Sequence, residues 1–268
     1  MLTVLYRCLL RLPDFPGKAR LQTWLGRRWF HPAAQRVVHG LRMELDPREW
    51  MQNDLMRTGT SEPGTVALLG RLLRPGDTFV DVGAHVGFLS LVARHHVGPA
   101  GRVLAIEPQP YNAARFLDNC RVNGFTNLEL IVAAVGDRAG TVTLSDQPAT
   151  DKSKLSLTDP LTPSATRFVV PLVRLDEVLA RHQVAKCTLM KIDVEGFEAD
   201  VFRGLGQAAG LVENIVVEVL KPTAEAVTQL TNLLPPRANQ QLELLNVHGE
   251  PWQPGRPLPE GNLWIRWA

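Results

Sequence analysis

The chain has 268 residues, 45% of them hydrophobic and 21% charged, with a formal net charge of only +2. Such a composition excludes a disordered or fibrous chain and leaves room for one large domain or two small ones around a real core. The cysteines, Cys8, Cys120 and Cys187, are few and widely spaced, which fits neither a disulfide framework nor a zinc cluster.

Charge is unevenly distributed. Residues 1–42 hold eight Arg or Lys against the single acid Asp14, so this lead-in carries +7 and the remainder −5. A basic arm suits phosphate, an anionic membrane surface or an acidic partner, and equally a solvated helix face. The apolar start, Met1 to Leu12, is broken by Arg7 and Arg11, and no small-residue cleavage site follows, which argues against a signal peptide. No run of 18 apolar residues occurs, so no transmembrane helix is expected. The expected setting is cytoplasmic, with peripheral membrane contact as the arm's further option. Residues 1–45 are expected as a basic lead-in packed on the body, and 46–268 as one domain.

Val37–Leu45 reads as a strand or hairpin, and Ser61-Glu62-Pro63 opens a helix through Leu73. From there the pattern alternates. Thr78–Val82 is a buried strand, Gly87–His95 a helix, Arg102–Ile106 a strand, and Tyr111–Asn123 a helix stopped by Gly124. Leu128–Ala134 reads as a strand and Thr141–Leu144 as a short extra one. Residues 145–167 are polar and aperiodic, a length of loop that is usually functional or mobile. Further strands are expected at Phe168–Val173, Cys187–Ile192 and Asn214–Leu220, with helices at Leu175–Ala180, Phe197–Gly204 and Val227–Leu234. Leu242–Val247 and Leu263–Trp267 read as a closing antiparallel pair. This alternation predicts an α/β fold with a mostly parallel sheet covered on both faces. The six tryptophans cluster near the two ends, which suggests packing between the termini.

One turn carries chemistry. The strand ending Val80-Asp81-Val82 runs into Gly83-Ala84-His85-Val86-Gly87 and then a helix. Glycine lets the backbone approach a ligand closely, and the helix start presents N–H groups there. The spacing is not Gly-x-Gly-x-x-Gly, since His85 stands two after Gly83, which counts against NAD. Glu107 ends the next strand, 24 residues after Gly83. An acid there can accept hydrogen bonds from both ribose hydroxyls of an adenosine. A methionine-linked adenosine has no pyrophosphate and tolerates the looser turn. Asp81 then anchors the glycine loop or holds the methionine ammonium. Tyr111 and Asn112 start a helix beside Glu107 and, with Ala134, are placed to flank the adenine.

These words occur in one order: Gly76-Asp77-Thr78-Phe79 through Gly87, Ala105-Ile106-Glu107-Pro108-Gln109-Pro110, Asn119, Asn123-Gly124, Ala133-Ala134-Val135-Gly136-Asp137, Arg174-Leu175-Asp176 and Lys191-Ile192-Asp193-Val194-Glu195-Gly196-Phe197-Glu198. Together they resemble the FkbM family of S-adenosylmethionine-dependent methyltransferases, over roughly residues 40–220. The resemblance implies a class I methyltransferase (Rossmann-like) sheet with a C-terminal antiparallel strand pair and helices on both faces. It also implies S-adenosyl-L-methionine as cofactor and a hydroxyl on a small molecule, sugar or glycolipid as acceptor. Glu62, in Gly59-Thr60-Ser61-Glu62-Pro63, corresponds to a family acid expected to close over the methionine end. By the same resemblance the cofactor site comprises Glu62, Asp81, Gly83, Ala84, His85, Gly87, Glu107, Pro108, Asn112 and Ala134. His85 replaces the family's usual Asn, and Ser61 its usual aromatic.

Methyl transfer to oxygen needs a positioned hydroxyl and usually a proton acceptor. Lys191-Ile192-Asp193-Val194-Glu195 ends a buried strand, where open α/β sheets place ligands. Asp193 is the expected catalytic group, as proton acceptor or metal ligand. Glu195 assists as a second carboxylate or stabilises the following helix. Lys191 is expected to pair with Glu218. No His completes a recognisable metal set. A nucleic-acid methyltransferase using the basic arm is the main alternative, against which no Asn-Pro-Pro-Tyr or Asp-Pro-Pro-Tyr word occurs. A non-catalytic binding module of the same fold is the other.

Overall fold

A strand that is apolar on both of its faces is stable only when both are covered, and a charge within it must find a buried partner. Thr78–Val82 (β3), Arg102–Ile106 (β4), Leu189–Ile192 (β9) and Asn214–Leu220 (β10) satisfy this by alternation. Phe79, Val103, Ala105, Leu189 and Val216 enter one core cluster, while Val80, Leu104, Met190 and Ile215 enter the other. The first is closed by helices Pro63–Leu72 (α2) and Phe88–Val97 (α3), the second by Leu175–Arg181 (α5) and Glu198–Leu205 (α6). The structure is a computed structural model that describes Leu21 and residues 34–47, 49–146, 166–220, 222–246, 248–252 and 260–267. The basic arm up to residue 33 (Leu21 apart), with Trp24 and Trp29, lies outside the described residues, as does most of the 145–167 loop.

Leu128–Ile131 (β5), Gln240–Leu245 (β11) and Glu260–Trp267 (β12) complete a seven-stranded sheet of order β11-β12-β10-β9-β3-β4-β5. Strands β5, β4, β3, β9 and β10 are parallel, and β12 lies antiparallel between β10 and β11. This is the expected class I sheet with its closing antiparallel pair. The chain leaves β3 towards β4 and β5, then crosses back to β9 on the other side. The strand order therefore reverses at the carboxyl ends of β3 and β9, which is where open α/β sheets form their ligand crevice.

Three local readings are corrected. The strand expected over 128–134 breaks at Val132-Ala133, and Ala134–Val135 (β6) joins a separate sheet of order β6-β8-β7. Its other members, Gly140–Asp146 (β7) and Thr166–Val173 (β8), pair antiparallel with Leu144 opposite Phe168. The short extra strand and the strand expected at Phe168–Val173 are thus partners across a gap of about twenty residues in sequence, a pairing no local signal announces. Cys187 lies outside β9; its backbone forms an isolated parallel bridge with Val212, its buried thiol donates to the Leu189 carbonyl, and burial pushes the thiol pKa up to about 12. Trp264 stacks under Arg71 and Arg266.

The expected hairpin is Ala34–Val38 (β1) with Leu41–Leu45 (β2), and Trp50–Thr58 (α1) follows it. The hairpin docks on Pro110–Asn123 (α4). Asn119 Oδ1 accepts the Glu44 N–H at 2.6 Å, and its Nδ2 donates to the Val86 carbonyl at 2.9 Å. One buried amide thus joins the hairpin to the glycine turn. No described helix is long and apolar enough to cross a membrane.

Candidate functional site

Parallel pairing sets Asp81 of β3 directly beside Lys191 of β9. Both follow by two the residues Phe79 and Leu189, so both side chains stand on the face covered by α2 and α3. One residue past each strand end the backbones touch. A Cβ at Gly83 would overlap the Asp193 carbonyl oxygen, and Gly83 has φ 84. Only glycine meets both demands. Gly87 is a packing glycine: with φ 89, its Cβ position lies 2.6 Å from the Phe116 ring. Asp81 Oδ2 accepts the Ser90 hydroxyl at 2.6 Å, tying β3 to α3. Asp81 Oδ1 is buried with no partner among the described residues.

Glu107 sits at the end of β4, only 4% exposed. Oε2 accepts the His85 N–H at 2.9 Å, and Oε1 accepts the Gln109 N–H at 2.9 Å and the Asn112 amide at 3.3 Å. Burial nevertheless outweighs these donors and pushes its pKa up to about 7. His85 holds φ 51, its Nε2 is buried without a partner among the described residues, and burial pushes its pKa down to about 4. Its imidazole is therefore neutral at physiological pH.

The sequence pairs Lys191 with Glu218, but the structure gives it other partners. Lys191 Nζ lies 2.9 Å from Asp193 Oδ2 and 3.3 Å from Glu62 Oε1, with its own side chain 4% exposed. Glu218 instead hydrogen-bonds Asp193. Burial disfavours every charge here, and attraction decides the outcome. For Lys191, Asp193 and Glu62 overcome burial and hold the ammonium well above its usual range. For Asp193, burial is overcome by Lys191 and the bond with Glu218, which hold the carboxyl below its usual range. For Glu62 and Asp81, burial wins and both carboxyls are raised.

Two cavities meet at this point. The larger, about 350 Å³, is lined by Gly83, His85, Glu107, Pro108, Asn112, Ala134, Asp193 and Glu195 among others. The smaller, about 30 Å³, is lined by Glu62, Asp81 and Lys191, and it shares Gly83, His85 and Asp193 with the first. Of the site residues expected from sequence, Ala84 and Gly87 line neither. Tyr111 turns away as well, its hydroxyl 2.6 Å from Asp46. Glu195 has φ 54 and does not cap α6, whose N-cap is Phe197; the Gly196 N–H is accepted by Glu198 at 3.0 Å.

Several lining residues were not legible in sequence. Val142, Leu144 and Leu172 come from the separate sheet and form an apolar wall of the larger cavity. Gln52, on α1, lines the smaller one. Phe197 and Asp200 also line the larger cavity; they follow Lys191-Ile192-Asp193-Val194-Glu195 closely, and that proximity was the available signal. Among the described residues, no group of three or more His, Cys, Asp or Glu side chains is arranged to hold a metal ion.

The family model described as the methyltransferase FkbM domain matches residues 81–242, more than half of the chain. The chain is 28% identical over 178 residues to Methyltransferase 1 of Beauveria bassiana, covering 59% of this chain and 71% of that one. It is 31% identical to the 31-O-demethyl-FK506 methyltransferase FkbM of Streptomyces tacrolimicus, covering 55% and 66%. Against the hexuronic acid methyltransferase AglP of Haloferax volcanii it is 24% identical, covering 63% and 65%. In fold it is similar to a chain from Streptococcus mutans assigned as a SAM-dependent methyltransferase, with TM-score 0.52, 11% identity and coverage of 89% of this chain and 56% of that one.

Proposed function

The chain belongs to the FkbM family of S-adenosylmethionine-dependent methyltransferases, and on that premise we propose that it methylates a hydroxyl oxygen of a small molecule, sugar or glycolipid. The site fits the cofactor on its own terms. Gly83 provides backbone that no side chain could share, and Asp81 and His85, each with a buried polar atom that has no partner among the described residues, line the smaller cavity. Glu107 would take the ribose hydroxyls, with Pro108, Asn112 and Ala134 around the adenosine. Glu62 and Asp81 would take the amino-acid end. When bound, the cofactor supplies a methyl group on a positively charged sulfur.

The observation that carries the reading is the position of Asp193. Asp193 lines both cavities, and its carboxyl is held ionised by Lys191. An ionised carboxylate at that junction accepts a hydrogen bond from an acceptor hydroxyl, turns an oxygen lone pair towards the cofactor side, and takes the proton as the hydroxyl loses it. Lys191 already pairs with this carboxylate, which weighs against its use as a metal ligand; the same pairing lowers its basicity, so orienting the hydroxyl is the larger part of its role. Glu195, on the wall of the larger cavity, is the second carboxylate available to the acceptor.

Charge supports a neutral acceptor. Glu107, Asp137, Asp193, Glu195 and Asp200 line the larger cavity against Arg138. A lining so rich in carboxylates repels phosphate, which weighs against the nucleic-acid reading. The test is a methyl-transfer screen with labelled cofactor against neutral glycosides, glycolipids, small phenols and RNA, read by mass. Label on a hydroxyl of a neutral acceptor is expected; transfer confined to RNA would overturn the proposal.

Glu107 also sets a pH dependence. If the ionised carboxylate is the form that receives the ribose, the competent fraction falls below a pKa of about 7. Cofactor affinity should then be roughly tenfold weaker at pH 6 than at pH 8. Calorimetric titration across that range checks this, and Glu107→Gln should both weaken binding and flatten the profile.

A further inference from the structure

The smaller cavity carries a binding group that lies upstream of the family match, which begins at residue 81. Gln52 is 1% exposed and sits in the first turn of α1. That turn is pinned by Glu49, whose carboxylate accepts the Met51 N–H at 3.2 Å and the Gln52 N–H at 2.8 Å. The Gln52 side chain is oriented as firmly. Its Oε1 accepts the Asp46 N–H at 2.8 Å, a bond only the oxygen can make, so the amide cannot be turned over. Nε2 is left buried without a partner among the described residues, and Gln52 is one of the residues that line the cavity.

A buried amide donor with nothing to receive it is destabilising, so such a donor beside a cavity points to an acceptor brought by a ligand. Asp81 presents the opposite requirement. It is also 1% exposed, Ser90 occupies its Oδ2, and Oδ1 is unpartnered among the described residues. Lys191 is engaged by Asp193 and Glu62. Beside His85 Nε2, which donates or accepts according to its tautomer, the lining residues therefore carry one fixed donor, Gln52 Nε2, and one fixed acceptor, Asp81 Oδ1. A group with a carboxylate and an ammonium on one carbon matches both.

We infer that Gln52 is a cofactor-binding residue that holds the α-carboxylate of the cofactor's amino-acid end, opposite Asp81 on the ammonium. This rests on the cofactor reading above and extends the site to the segment between the hairpin and α2. Gln52 then selects for ligands that carry the amino-acid group, while Glu107 serves any adenosine.

The test uses the full chain, with S-adenosylmethionine, S-adenosylhomocysteine and methylthioadenosine, which lacks the amino-acid group, as probes. Gln52→Glu keeps an oxygen for the Asp46 N–H and replaces the donor with an acceptor. Calorimetry should show affinity for the first two ligands falling at least about tenfold, with methylthioadenosine unchanged within about twofold. If that variant no longer binds methylthioadenosine, its fold has failed, and Gln52→Met, uncharged and of similar volume, decides by the same ratio. An equal loss for all three ligands, or no change in the ratio, overturns the inference and leaves the cavity a site for structural water only. If the native chain binds none of the three, the cofactor reading itself fails instead.

Discussion

Replacing Asp193 by Asn should lower turnover by about a hundredfold or more while leaving cofactor affinity within a few-fold. The substitution keeps shape and lets Lys191 Nζ retain an oxygen partner, beside Glu62 at 3.3 Å. It removes the negative charge that Lys191 and the bond with Glu218 hold in place. The loss should appear in the single-turnover rate with the acceptor saturating. Steady-state turnover within about threefold of the native chain would remove Asp193 from the chemistry and leave it a partner of Lys191. The comparison with Lys191→Met is informative. Without the ammonium, Asp193 and Glu62 become buried carboxylates with no cation, so that variant should lose stability as well as rate, by about 3 kcal/mol or more. A defect confined to turnover in Asp193→Asn, beside one in both properties in Lys191→Met, separates the reacting group from the one that positions it.

Gly83→Ala should be the most damaging single methyl in the chain. The new Cβ would occupy the place of the Asp193 carbonyl oxygen, and that carbonyl is backbone at the end of β9, which cannot swing aside. The Gly83 and Ala84 N–H groups both donate to the Ile106 carbonyl, at 2.9 and 3.0 Å, so the turn cannot shift without breaking the junction of β3 and β4. A cost of about 4 kcal/mol or more is expected from denaturant melts, with loss of cofactor binding in whatever remains folded. Gly196→Ala is the control. Gly196 also has positive φ, at 101, but nothing lies within 4 Å of its Cβ position. Only the conformational penalty applies there, about 1–2 kcal/mol. Equal effects of the two substitutions would show that backbone conformation, and not the contact with Asp193, makes Gly83 necessary.

Much of this machinery is readable from local pattern. Largely apolar runs over Thr78–Val82 and Asn214–Leu220, each interrupted by a single acid (Asp81, Glu218), mark buried strands because a strand covered on both faces has no continuous polar side to show. Gly83 and Glu107 are readable for a similar reason: a strand-turn-helix unit and the next strand end recur within a short span, and their spacing constrains what can bind between them. The closing antiparallel pair is legible from two apolar runs placed after the last helix.

What was illegible depends on long-range contact. Lys191 could not be matched with Glu62 from spacing, since 129 residues separate them and the choice between Glu62 and Glu218 depends on where α2 is set against the sheet. The pairing of Gly140–Asp146 with Thr166–Val173 was hidden by the polar stretch between them, and with it the apolar wall of the larger cavity. Gln52 had no motif at all. Its meaning comes from the Asp46 N–H that fixes its amide and from the cavity the residue lines. By itself, then, the sequence determined the fold class, the family and the side of the sheet on which the cofactor is expected, because hydrophobic period and glycine spacing are properties of neighbours along the chain. Only the tertiary structure decided which charges share the buried site and which polar atoms are left to meet a ligand, because burial and hydrogen-bond satisfaction exist only once distant segments have come together.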